Sequence, residues 1–132
     1  MQADTFIKED CMKVLIVGDT DRWRNAVKGA LPTGCDICIC LDEVAALSTQ
    51  ADDNNDFDLV VLANHLSNSN DGIKILREAR AEGEKTPIII YSDCVDAEAE
   101  SEIIQLQGTY ISPSDDGVDF LAHTARRILN QT

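Results

Sequence analysis

Residues 58–63 read Asp58-Leu59-Val60-Val61-Leu62-Ala63, an uninterrupted apolar segment that lies between two polar ones. Aliphatic residues in succession, with no polar residue between them, are typical of a strand that is buried on both faces of a parallel sheet. The acidic, asparagine-rich residues 51–56 before it and the polar residues 64–70 after it indicate solvated loops. We therefore predict that residues 58–63 form the central strand of a parallel sheet.

Strand and helix patterns alternate on both sides of this segment. Short apolar runs predict four further strands, at residues 13–17, 35–41, 86–91 and 109–111. Apolar residues at helical spacing predict a helix after each strand, at residues 23–31, 42–47, 72–82, 97–106 and 118–129. Because consecutive parallel strands need right-handed crossovers, this order predicts the α/β class, with one doubly wound (βα)5 parallel sheet between two helical layers.

The composition limits the size of the fold and the classes of partner. The chain has 132 residues, which suit one domain, and we assign residues 12–132 to it and residues 1–11 to a polar N-terminal extension. Its 24 acidic residues against 11 basic ones give a formal net charge of -13, which disfavours binding to nucleic acid or to anionic membranes. No apolar run approaches the roughly 20 residues of a membrane span. We expect a soluble, cytoplasmic protein.

The five cysteines, an odd number, favour a reducing compartment over a disulfide framework. Cys35 and Cys38 have the spacing of a zinc knuckle, but a closed zinc site needs a second pair of ligands. The remaining candidates are scattered along the chain, at Cys11, Cys94, His65 and His123. The alternation over residues 35–41 instead predicts a strand buried on both faces, in which the thiols pack as small hydrophobic groups.

The loops that follow the strands are where a ligand would bind, because ligands of such sheets lie beyond the carboxyl ends of the strands. The loop after the first strand contains a single glycine, Gly18, and so lacks a glycine-rich phosphate loop. This disfavours a small flavodoxin-like ligand-binding module, which remains an alternative. No nucleophile can be paired with a base in the sequence, so we do not expect an enzyme.

The order and spacing of five segments carry a more specific resemblance. They are residues 14–19, residues 58–63, the pair Asp71-Gly72, residues 86–92 and residues 111–113. Together they make residues 12–130 similar to the receiver domains of bacterial two-component response regulators. The resemblance implies a flavodoxin-like, CheY-like three-layer sandwich and a role in phosphorelay signal transduction.

A receiver of this family takes a phosphoryl group from a histidine kinase onto an aspartate at the end of its third strand. An acidic pair after the first strand holds Mg²⁺, while a hydroxyl after the fourth strand and a lysine after the fifth bind the phosphoryl oxygens. The resemblance aligns the acidic pair with Gly18 and Asp19, and the acceptor aspartate with Ala63. It aligns the hydroxyl with Ser92, and the lysine and the proline that follows it with Ser112 and Pro113.

Three of the five family groups are missing, because Gly18, Ala63 and Ser112 replace an acid, the acceptor and the lysine. The resemblance therefore implies a degenerate pseudo-receiver, which signals by protein–protein interaction without aspartyl phosphorylation. A one-residue shift of the alignment puts Asn64 at the acceptor position, and an amide does not accept a phosphoryl group either. We expect no cofactor, and Mg²⁺ is not expected to bind.

One alternative retains the phosphorelay chemistry. Asp93 follows Ser92 at the same edge of the sheet, and together with Asp19 it would form a two-acid cation site. The chain would then be a working receiver with relocated acids.

An inactive pocket implies that function lies on the surface. Receivers commonly dimerise or bind partners through the fourth helix, fifth strand and fifth helix, here residues 96–130. That segment has more apolar residues than one narrow helical stripe needs, and a basic pair that we expect to face the acidic residues 98–102. The residues concerned are Ile103, Ile104, Leu106, Arg126 and Arg127. We expect protein partners of a signalling pathway, or a homodimer.

Overall fold

The computed structural model describes residues 12–18, 20–32, 34–40, 57–63, 71–92, 95–113 and 117–130. These residues contain five strands and four helices. In chain order the elements are β1 (Lys13–Val17), α1 (Asp21–Ala30), β2 (Asp36–Cys40), β3 (Leu59–Leu62), α2 (Asp71–Ala81), β4 (Ile88–Tyr91), α3 (Ala97–Gln105), β5 (Thr109–Ile111) and α4 (Gly117–Asn130).

The five strands form one parallel sheet in the order β2-β1-β3-β4-β5, which confirms the predicted fold class. The chain adds β2 on one side of β1 and β3 on the other, so the strand order reverses between β1 and β3. The register pairs Val17 with Leu62, Leu62 with Ile90, and Tyr91 with Ile111. The carboxyl ends of β1, β3, β4 and β5 therefore meet at one edge of the sheet.

Two apolar layers cover the two faces of the sheet. Successive residues of a strand point to opposite faces, so neighbouring residues of β1, β3 and β4 belong to different layers. One layer joins Leu15, Leu62 and Ile90 to Leu76 of α2 and Ile103 of α3. The other joins Val14, Ile16, Val61 and Ile89 to Val27 of α1 and to Leu121 and Ala125 of α4. Every residue of β3 is buried, which confirms the prediction of a central strand.

Side-chain caps and a glycine set several of the helix ends. Thr20 precedes α1, and its Oγ1 accepts a hydrogen bond from the amide of Trp23 at 3.3 Å. Asp96 caps α3 in the same way, accepting from the amide of Ala99 at 2.8 Å. Gly83 follows α2 with a φ of 85°, a left-handed conformation that glycine adopts without strain. Each of these three residues fixes where a helix begins or ends.

The prediction that residues 35–41 are buried on both faces is wrong. Among the strands that the structure describes, β2 lies at the edge of the sheet and pairs with β1 alone. Its Ile39 is 40% exposed, and Ile37 and Cys38 are half-buried. Cys35 and Cys38 are half-buried. The apolar sequence of this strand therefore overestimates how far its side chains are buried.

The stripe predicted on the last helix also needs a correction. Val118 is 44% exposed, because the buried side of α4 runs through Leu121, Ala125 and Leu129. The helix predicted at residues 42–47 and the extension at residues 1–11 lie outside the described residues. Among the helices that are described, none has the length and apolar character of a membrane span.

Candidate functional site

The described candidate residues of the predicted pocket lie together at the carboxyl edge of the sheet. Gly18, Ala63, Ser92 and Ser112 directly follow β1, β3, β4 and β5. Backbone hydrogen bonds continue the sheet to this point, from the Ala63 amide to the Val17 carbonyl at 2.9 Å and from the Ser92 amide to the Ile111 carbonyl at 3.1 Å. Ala63 and Ser92 are each 8% exposed, so both are buried.

The other candidates fall outside the described residues. These are Asp19, Asn64 and Asp93. Within the part of the chain that the structure describes, no three His, Cys, Asp or Glu side chains come together as a metal site. The two-acid cation site of Asp19 and Asp93 therefore stays a prediction.

Trp23 of α1 lies directly over Gly18. A Cβ atom added at Gly18 would be 2.2 Å from Cε3 and 2.4 Å from Cζ3 of the indole, closer than real Cβ atoms approach. The six-membered part of the indole therefore occupies the space that a side chain at position 18 would need. Glycine at this position permits the contact, and an acidic side chain would displace the ring.

The other end of the same indole reaches β4. Its Nε1–H donates a hydrogen bond to the Tyr91 carbonyl at 2.8 Å, and the two aromatic rings are 6.4 Å apart between centroids with a 42° tilt. Because β3 lies between β1 and β4, the indole connects two strands that are not neighbours in the sheet. Trp23 packs against the apolar layers of both sheet faces, so the ring covers the edge between them.

A guanidinium group adds positive charge beside this ring. Arg24 donates from Nη1 to the Gly18 carbonyl at 2.8 Å and forms an ion pair with Asp21. Its side chain is only 15% exposed. Because Asp21 offsets this charge, the contact chiefly holds the first turn of α1 to the end of β1. On the other side of the indole, burial raises the pKa of the Tyr91 hydroxyl, which favours its neutral form.

The start of α4 lies against the end of β5. A Cβ atom at Gly117 would be 2.3 Å from the carbonyl oxygen of Ser112, so the backbone of α4 contacts the residue aligned with the family's lysine. Ser112 and Pro113 are half-buried. The sequence signal for this contact is a glycine just before the apolar pattern of the last helix, and it is weak on its own.

One residue of the predicted interaction surface is buried. Ile103 has no exposed surface and belongs to the core layer under α3, so its assignment to the surface is wrong. Ala99, Ile103 and Leu106 lie on the side of α3 that packs against the core, at the spacing of helical neighbours. Ile104 points away from it and is 62% exposed.

The remaining members of that surface are accessible to different degrees. Leu106 is half-buried, whereas Arg126 and Arg127 are exposed on α4. Phe120 of α4, which carried no signal in the sequence, is 56% exposed. We define the α3–α4 surface as Ile104, Phe120, Arg126 and Arg127.

One acidic residue of α3 has a partner within the chain. Nε of Arg77 in α2 donates to Oε2 of Glu102 at 2.7 Å. This hydrogen bond is the main cause that lowers the pKa of Glu102, and it raises the pKa of Arg77. Glu102 was expected to face Arg126 and Arg127, and it instead binds α2.

Comparisons with known proteins identify the fold. No protein-family model matches the sequence, and no curated protein matches it. In three dimensions the chain is similar to the receiver domain of Francisella response regulator 1452, with 22% identity and a TM-score of 0.76 over 91% of this chain and 98% of that one. It is also similar to the phosphorylated cyanobacterial phytochrome response regulator RcpA, with 18% identity and a TM-score of 0.78 over 92% and 96%.

A third structure gives the same result. The response regulator receiver protein from Pseudoalteromonas atlantica is 19% identical, with a TM-score of 0.78 over 90% of this chain and 98% of that one. These matches cover nearly the whole of both chains. The protein therefore has the CheY-like fold of response-regulator receiver domains, and its chemistry must be argued from its own residues.

Proposed function

We propose that this protein is a signal-transduction module that uses the receiver fold for protein–protein interaction and accepts no phosphoryl group on an aspartate. The observation that carries the proposal is Ala63 at the end of β3, buried in the apolar layer against which Trp23 packs. A methyl group has no lone pair with which to attack phosphorus, so covalent transfer at this position has no nucleophile.

The neighbouring positions support the same proposal. Phosphoryl transfer depends on metal ions and cationic groups that neutralise charge on the transferring oxygens. Gly18 offers no carboxylate to a metal ion, and Ser112 offers no positive charge. We infer that the protein works in the bacterial cytoplasm within a two-component pathway, without a cofactor and without enzymatic activity.

The α3–α4 surface is our candidate for partner binding. Ile104 and Phe120 present apolar area to solvent at 62% and 56% exposure. Arg126 and Arg127 add positive charge to a chain whose formal net charge is -13. An acidic partner surface or the acidic α3 of a second copy complements this charge, which favours encounter in the correct orientation.

The decisive experiment is labelling with a small phosphodonor in the presence of Mg²⁺, read by intact-protein mass. We expect no phosphoryl adduct. A stoichiometric, acid-stable and base-labile adduct would overturn the proposal. The variants Asp19→Ala and Asp93→Ala would then separate the alternatives, because loss of the adduct in Asp93→Ala identifies a receiver with relocated acids.

The surface is tested by charge reversal. We expect the double variant Arg126→Glu/Arg127→Glu to lose self-association in sedimentation experiments, or to lose capture of its signalling partner. The matched control is Lys28→Glu/Lys85→Glu, which makes the same change of charge at exposed residues outside the surface. Unchanged association and capture in the Arg126/Arg127 variant would rule out this surface.

A further inference from the structure

The indole of Trp23 connects two strand ends that are distant in the sequence. It contacts Gly18 after β1 and donates its Nε1–H to the carbonyl of Tyr91 in β4, 68 positions later in the chain. The indole is half-buried, with its ring packed against both apolar layers and its N–H bonded to an acceptor. The ring therefore lies at the edge of the sheet where a ligand of this fold class would bind.

We propose that Trp23 is a built-in occupant of this pocket, so that the site takes a planar aromatic ring in place of a metal ion and a phosphoryl group. The inference rests on the proposed function, because it says how the inactive pocket is filled. A group attached to the chain has a high effective concentration at its own site, so a free ligand must displace it to enter.

Two further contacts hold the ring in place. The cap of Thr20 on the amide of Trp23 fixes the first turn of α1, and Arg24 of the same turn binds the carbonyl of Gly18. Both anchor α1 to the end of β1 while the indole reaches β4. The ends of β1 and β4 are thus connected through α1 without a ligand.

The emission of Trp23 tests the proposal directly, since it is the single tryptophan of the chain. Because the ring is half-buried, we expect blue-shifted emission and reduced quenching by acrylamide in the folded protein relative to the same protein unfolded in urea. Gly18→Ala places a methyl group into the ring, so we expect red-shifted emission and a quenching constant raised about twofold or more as the indole loses burial.

Gly29→Ala is the matched control. A Cβ at Gly29 meets nothing within 4 Å, and this glycine belongs to the same helix as Trp23. We expect its emission and quenching to equal those of the unaltered chain. Emission of an exposed indole in the unaltered protein, or equal quenching in a folded Gly18→Ala variant and Gly29→Ala, would overturn the inference.

A second variant keeps the test independent of Gly18. Trp23→Ala should leave an aromatic-sized cavity, and free indole should then raise its melting temperature in a saturable manner while leaving that of the unaltered protein unchanged. A folded Trp23→Ala protein that free indole does not stabilise contradicts the inference. If Gly18→Ala does not fold, this measurement and the emission of the unaltered chain decide the matter.

The two proposals fail in different ways. Phosphodonor labelling of the unaltered chain overturns the proposed function, whatever the emission of Trp23. An exposed indole without labelling overturns only the built-in occupant and leaves the proposed function standing.

Discussion

The carboxyl edge of the sheet and the α3–α4 surface use apolar side chains in opposite ways. At the edge, Ala63 is buried in the apolar layer against which Trp23 packs. On the surface, Ile104 and Phe120 leave apolar area exposed, and Arg126 and Arg127 are exposed on α4. An apolar group in a buried site adds packing free energy, whereas an exposed one costs solubility unless a partner covers it. The difference supports our proposal that the protein acts through its surface.

The amino edge of the sheet, opposite the pocket, carries charged side chains that bind backbone groups. Oδ2 of Asp58 accepts from the amide of Lys13 at 2.9 Å, as expected for a structural carboxylate at the start of β3. Arg80 donates to the carbonyls of Leu106 at 2.7 Å and Thr86 at 3.1 Å. Burial lowers the pKa of Arg80, and Glu84 partly offsets that shift. These charges satisfy backbone groups, so they are needed whether or not the pocket reacts.

The largest expected effect distinguishes two adjacent isoleucines of α3, one packed in the core and the other exposed. Ile103 has no exposed surface, so Ile103→Ala should lower the free energy of unfolding by about 2–5 kcal/mol. Ile104→Ala, at a site that is 62% exposed, should change it by no more than about 0.5 kcal/mol. Urea denaturation measures both, and comparable losses in the two variants would contradict the assignment of Ile104 to the surface.

A methyl group at the start of α4 should disturb the carboxyl edge to an intermediate extent. The added Cβ of Gly117→Ala would meet the backbone carbonyl of Ser112 at 2.3 Å, and overpacking of this kind costs about 1–3 kcal/mol. Gly29→Ala should instead stabilise α1 by about 0.5–1 kcal/mol, since it replaces a helical glycine in open space. Thermal unfolding of both variants checks the prediction, and a neutral Gly117→Ala would place α4 farther from β5.

The ion pair between α2 and α3 should have the smallest effect. The side chains of Arg77 and Glu102 are 56% and 36% exposed, so Glu102→Gln should cost no more than about 1 kcal/mol at neutral pH. The pKa of Glu102 is lower in the folded state, so this stabilisation is complete above the unfolded value of about 4.3 and is lost as the pH falls through the folded value.

The contribution of this ion pair is measured as the difference in unfolding free energy between the unaltered protein and Glu102→Gln, from neutral to acidic pH. The difference between them should shrink as the pH decreases, and also at high salt, which screens exposed charges. Glu100→Gln, at an exposed residue of the same helix, is the control. A difference that grows on acidification would show that Glu102 does not favour its ionised form.

Local patterns predicted most of the architecture. The apolar runs of β1, β3 and β4 and the helical spacing of α1, α2 and α3 match the observed elements to within a few residues. Exposure was predicted less well, since Ile39 and Val118 are exposed where burial was expected and Ile103 is buried where exposure was expected. An apolar residue has the same letter at an edge strand as in a core, and only its neighbours decide its burial.

The identity of the pocket residues follows from sequence order, because the residue after a parallel strand always lies at the carboxyl edge of the sheet. The position of Ala63 at the end of β3 was therefore predictable from the sequence alone. The role of Trp23 was not, because its helical spacing indicates only a side chain that faces the core. The hydrogen bond to Tyr91 and the contact with Gly18 depend on how α1 crosses the sheet. Such contacts join residues far apart in the chain, and a local pattern carries no information about them.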